Sequence, residues 1–171
     1  MSLLNIIWVY GGLAWATFVC GMTCWLGGTA ERIGGVTVWL AWVLSLVLFV
    51  PGPKGPGIAT TIIDCTALAV FVILSLRTRR LWTVFAAACQ LDDIMSHVVA
   101  QLSHFQLYSH IVAAGIWGGE GLLACLIAGT IGYRRRLKRA ARLAAAWSPA
   151  SSDAGDHAGL EQRFGRVKTP L

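Results

Sequence analysis

No charged side chain precedes Glu31, and most of the charges that follow fall in short stretches between long apolar runs. A helix that crosses a bilayer needs about 20 mostly apolar residues. Five stretches approach or exceed that length. Leu3 to Leu26 is uncharged and ends at Gly27-Gly28-Thr29. Ile33 to Val50 is also uncharged and ends at Pro51-Gly52-Pro53. Residues 58–76 contain Asp64. Residues 81–102 contain Asp92, Asp93 and His97, and residues 107–133 contain His110 and Glu120. The expected fold is an all-helical transmembrane bundle of about five spans, covering residues 1–133.

Basic residues test that count. Lys and Arg gather in the short cytoplasmic loops of membrane proteins. With five crossings and the N-terminus outside, Arg32, the Arg77, Arg79 and Arg80 loop, and the C-terminal tail share the cytoplasmic side, leaving only Lys54 outside. Removing the fourth crossing would place the Arg77–Arg80 loop and the tail on opposite faces. The expected location is the bacterial inner membrane, multi-pass, with the tail in the cytoplasm. The N-terminus lacks a basic region, and its apolar run exceeds the ~7–15 residues of a signal core, so the first helix is expected to be retained. Val19 does not suit a lipid-attachment site at Cys20.

Only 13% of residues are charged, against about 25% in soluble domains. Six of the fourteen Lys and Arg lie in residues 134–142. Residues 134–147 put Leu137, Ala140, Ala141, Ala144 and Trp147 on one helical face and Arg135, Lys138, Arg139 and Arg142 on the other. A basic amphipathic helix is expected there, with Arg134, Arg135, Arg136, Lys138, Arg139 and Arg142 contacting anionic inner-leaflet lipid. The net charge of +6 suits that surface better than nucleic acid. Residues 148–171 read as a flexible tail. All five cysteines lie within apolar runs, so they are expected to be small buried hydrophobes and not a disulfide framework.

Chemistry points to the middle of the bundle. At about 1.5 Å per residue, Asp64, Asp92, Asp93 and Glu120 fall within roughly 4 Å of the mid-plane, with no Lys or Arg at that depth. An ionised side chain there costs at least ~2.5–3.5 kcal/mol. These acids must therefore be largely protonated, face water or share a cation. Gln90, Asp93, His97 and Gln101 form one polar stripe at helical spacing, with Asp92 rotated off it. Asp93 and His97, four apart, can hydrogen-bond or jointly ligate a metal. His97, His104 and His110 continue the line toward the outer face, as a proton or metal-ion path would. Polar groups in membrane bundles also serve as interhelical hydrogen-bond glue, and that reading stands beside the path. Haem on His97 and His110 is disfavoured, because His110 lies roughly 7 Å shallower by the same rise. Single-His ligation is the form left open, and no cofactor is expected.

The fifth run carries Gly115, Gly118, Gly119, Gly121, Cys125 and Gly129. Gly115 and Gly119 make a GxxxG step that permits close helix approach and is expected to set Glu120 in a tightly packed environment. Residues 51–57 (PGPKGPG) read as a stiff external connector. No phosphate loop, nucleophile elbow or HExxH occurs, and no catalytic residue is assigned.

Glu31-Arg32-Ile33-Gly34, Asp64, the stretch Leu76-Arg77 to Trp82, and Ala86–Gln90 with His97 resemble a group of small, uncharacterised inner-membrane proteins of alphaproteobacteria. The resemblance covers about residues 27–133 and implies the same five-helix bundle; Asp92-Asp93 and the long basic tail depart from it. The expected function is a non-catalytic accessory or interaction component of a membrane assembly, its partners the bilayer and other membrane proteins or copies of itself. The alternative is a proton- or metal-cation-handling protein using the mid-plane acids and the histidines.

Overall fold

Long apolar runs bounded by glycine and proline become helices, because only an α-helix satisfies every backbone group within one apolar segment. The computed structural model describes residues 3–48, 51–52, 55–102 and 115–147. Five α-helices occur among them: α1 (Leu3–Leu26), α2 (Thr29–Val47), α3 (Ile58–Thr78), α4 (Leu81–Leu102) and α5 (Leu122–Trp147). A π-helical segment, Gly115–Gly121, leads directly into α5. Between α2 and α3, Pro51 pairs with Pro56 and Gly52 with Gly55 in a two-residue antiparallel ladder. Proline has no N–H to donate, which keeps that ladder short. Lys54, His104, His110 and the tail from residue 148 lie outside the described residues.

The second helix starts four residues earlier than the uncharged run suggests. The Glu31 side chain turns back to accept the Gly28 N–H through Oε2 at 3.2 Å. A carboxylate also suits the positive end of a helix dipole. Glu31 is therefore part of α2 and not a loop residue. At the other connection, Arg79 closes α3 in the left-handed region (φ 51°), donating its N–H to the Ser75 carbonyl at 2.9 Å.

Close approaches fix the packing. A Cβ on Gly12 would stand 3.5 Å from the Trp42 ring and one on Gly35 3.3 Å from the Cys20 carbonyl, so α1 and α2 run antiparallel. A Cβ on Gly34 would meet Trp82 at 3.0 Å and Leu126 at 3.1 Å; one on Gly129 would meet Trp82 at 2.8 Å. The N-terminal ends of α2 and α4 and the middle of α5 thus share one end of the bundle. Val19, Val38, Phe71, Leu123 and Leu126 form the centre of the buried core.

The distribution of side chains is the reverse of a water-soluble protein in one respect. Phe18, Trp25, Ile62, Leu76 and Phe85 are exposed, whereas Glu31, Asp64, Gln90, Asp93 and His97 are buried. Thr29–Val47 and Ile58–Thr78 are each long and apolar enough to cross a membrane. Helix α4 carries Gln90, Asp92, Asp93 and His97 along its length and is not among these two.

The chain divides into two compact units, Met1–Arg135 and Arg136–Leu171. Within the second, residues 136–147 are the C-terminal part of α5, with Lys138, Arg139 and Arg142 exposed. The amphipathic stretch expected as a separate helix from residue 134 is continuous with the helix that begins at Leu122.

Candidate functional site

Two separate buried polar clusters lie within the unit Met1–Arg135. The first lies between the N-terminal half of α3 and the C-terminal half of α4. His97 Nε2 and Asp64 Oδ2 share a hydrogen bond at 2.9 Å, and Gln90 Nε2 donates to Asp64 Oδ1 at 3.3 Å. Asp64 thus has both carboxylate oxygens engaged by α4. Asp93 is 6% exposed, and its Oδ1 has no hydrogen-bond partner among the described residues. Asp64, Asp93 and His97 each bring one ligand-type atom within 4.8 Å of the others. Two carboxylates and an imidazole at that separation can close on a proton or on a divalent ion.

Backbone from the π-helical segment backs this cluster. A Cβ on Gly118 would lie 2.5 Å from Asp93 Oδ2. A glycine at residue 118 is what lets the chain pass against the Asp93 carboxylate. A cavity of about 820 Å³ reaches the cluster, with Trp15, Trp42 and Ile116 among its walls and Asp64, Asp93 and His97 at its polar side.

Of the stripe expected on α4, Gln90 and His97 hydrogen-bond to Asp64 of α3, and the Asp93 carboxylate lies against Gly118 of the π-helical segment. The four mid-plane acids do not all converge. Asp92 is exposed, one residue and a 100° turn from Asp93. Glu120 is exposed as well, at the edge of the cavity. Its tightly packed setting is not realised: Gly118 meets Asp93 and Gly119 meets Trp42, while Glu120 is exposed at the cavity wall. The side chain of Gln101 and all of His110 lie outside the described residues.

The second cluster was not anticipated. Glu31 is fully buried; its Oε1 takes an ion pair from Arg80 and a 3.2 Å hydrogen bond from Trp82 Nε1. Arg80 sits 6.0 Å from the centre of the Tyr133 ring, within cation–π range. A Cβ on Gly28 would meet that ring at 2.7 Å. Four elements (the Gly27–Gly28 turn, α2, α4 and α5) are thereby tied at one end. The signal was available: the positive-inside count puts Glu31 and Arg80 on one face, and an acid in the first turn of a helix is a capping residue. All five cysteines are free thiols.

No protein family, curated protein or solved structure matches the chain.

Proposed function

We propose that the chain is a multi-pass inner-membrane protein that handles a cation, a proton or a divalent metal ion, at Asp64, Asp93 and His97. The observation that carries this reading is the Asp93 Oδ1 atom, buried and without a hydrogen-bond partner among the described residues, beside two further donor atoms. Leaving a buried acceptor unpaired costs roughly 1–3 kcal/mol, which a bound cation would offset. Gln90 supports the same role by holding Asp64 in place.

The membrane reading is supported by the exposed bulky apolar residues, the two apolar helices and the charge distribution. Five crossings with the N-terminus outside keep Arg32, Arg77, Arg79, Arg80 and the tail on the cytoplasmic side. Arg134, Arg135, Arg136, Lys138, Arg139 and Arg142 are all exposed, as contact with anionic lipid requires.

Purified protein in proteoliposomes tests the proposal. A pH-sensitive dye and a Zn²⁺- or Mn²⁺-sensitive dye inside the vesicles report each cation. Wild type is expected to pass at least one of them, and Asp93→Asn to lose about tenfold or more of that flux, the scale of disrupting a metal ligand's support. The variant should elute as the wild type does on size exclusion. Equal flux in wild type, Asp93→Asn and empty vesicles would defeat the cation reading.

One observation favours the accessory reading as a second role. Asp92 lies on the exposed face of α4, where an ionised group facing lipid would cost ~2.5–3.5 kcal/mol. Another membrane helix, from a partner or a second copy, would cover it. Asp92→Leu is then expected to weaken co-purifying or self-associated species on native gels; an unchanged pattern counts against this role.

A further inference from the structure

The cavity beside the cation cluster is far larger than an ion needs. It measures about 820 Å³, whereas a water molecule's share of liquid volume is about 30 Å³. An inorganic cation with a complete shell of ligands would leave most of it empty. Sites for organic ligands run about 300–1,000 Å³. The size selects an organic occupant.

Its chemistry selects the charge. Asp64, Asp93 and Glu120 all line the cavity, and among the described residues no Lys or Arg does. The two buried side-chain atoms without hydrogen-bond partners among the described residues are Asp93 Oδ1 and Thr60 Oγ1, and both belong to this same lining. Among the described residues the rest of the lining is Ser45, Gln90 and His97 together with apolar, aromatic and glycine residues, Trp15 and Trp42 being its large aromatic groups. Indole faces attract cations as well as apolar groups.

We infer that this cavity binds a lipophilic organic cation, its positive charge against the Asp64–Asp93 carboxylates and its apolar body against Trp15 and Trp42. This rests on the cation reading of the same cluster and names a ligand class for it. A neutral ligand would leave Asp93 Oδ1, which has no hydrogen-bond partner among the described residues, uncompensated, and an anion would be repelled. None of Glu31, Arg80, Trp82 and Tyr133, which tie one end of the bundle, is among the described lining residues of the cavity.

Full-length protein in lipid nanodiscs tests the inference, with empty nanodiscs measuring partition into lipid. Tetraphenylphosphonium is the probe, and tetraphenylborate, of the same shape and opposite charge, is the control. Saturable binding of tetraphenylphosphonium at one per protein, without saturable binding of tetraphenylborate, is expected. Asp93→Asn should weaken it at least tenfold. Gly11→Phe offers a separate arm: Gly11 lines the cavity, is not one of the acids, and a Cβ there meets nothing within 4 Å, so a larger side chain has room to start from the cavity wall. It should abolish tetraphenylphosphonium binding while Zn²⁺ or proton flux persists. Absence of saturable binding, equal binding of both probes, or unchanged affinity in both variants overturns the organic-cation inference. Zn²⁺ or proton flux that survives such a result leaves the cation reading standing, and flux lost from wild type removes both.

Discussion

Glu31 shows how one side chain is held at a cost and what removing it does. It is fully buried, and its two oxygens accept from Arg80, Trp82 and the Gly28 N–H. Breaking a buried ion pair by deleting one partner costs about 3–5 kcal/mol. Arg80 is 23% exposed, so water can solvate the guanidinium left behind, and Glu31→Ala is expected near the low end, about 3 kcal/mol. Arg80→Ala should cost at least as much, because the stranded carboxylate is the buried partner. A double-mutant cycle measured by reversible unfolding in mixed micelles checks the coupling. Additive losses would mean that the pair does not interact. Asp93 is the contrasting case, a buried acid with an unpaired oxygen, and its replacement by Asn is expected to change cation handling far more than stability.

At the scale of an element, the Gly115–Gly121 segment does what a continuous α-helix would not. Residues 118, 119 and 121 are presented to Asp93, Trp42 and Cys89 respectively. Such π-helical segments recur at functional sites because they alter which side chains face inward. Gly118→Ala would place a methyl 2.5 Å from Asp93 Oδ2, and the carboxylate must move. Metal binding by titration calorimetry should weaken while the helical circular dichroism stays near wild type. Gly132→Ala is the control on α5: a Cβ there meets nothing within 4 Å, and alanine should raise helix stability by up to ~1 kcal/mol. If both variants bind metal as wild type does, Gly118 has no part in shaping the site. Gly119 does meet a neighbouring helix closely, at Trp42, but the GxxxG spacing assumes α-helical register through Gly115–Gly119, and the sequence of a glycine-rich run is the same in either winding.

For the whole molecule, the testable property is sidedness. A fluorescent protein fused after residue 171 is expected to mature, as it does in the cytoplasm. A phosphatase inserted at Lys54 is expected to be active, as it is outside. Both reporters on one side would break the five-crossing topology. Neutralising Arg134, Arg135, Arg136, Lys138, Arg139 and Arg142 should reverse or randomise the orientation of the C-terminal reporter. At about 1 kcal/mol per basic residue near an anionic surface, six such residues also contribute substantially to lipid association. Co-flotation of a peptide spanning residues 134–147 with anionic vesicles would measure that contribution, and equal flotation with neutral vesicles would refute it.

The helices were legible in the sequence because their cause is local. Long, mostly apolar runs leave the backbone no other way to satisfy itself, and α1, α3 and α4 begin and end close to where those runs do. The polar stripe of Gln90, Asp93 and His97 was legible too, since helical periodicity alone puts those residues on one face. What faces that stripe is a matter of tertiary packing. Asp64 was one of four acids at equal depth, and depth says nothing about rotation. Only helix packing joined it to His97 and Gln90 and left Glu120 exposed at the cavity wall, whereas helical periodicity had already put Asp92 off the stripe. Glu31 lay hidden for the opposite reason: a charge next to a turn looks solvated until a partner from residue 80, 49 positions away, is placed over it. Local hydrogen bonding and periodicity set the elements, and contacts between residues distant in the chain decided which acids share a site.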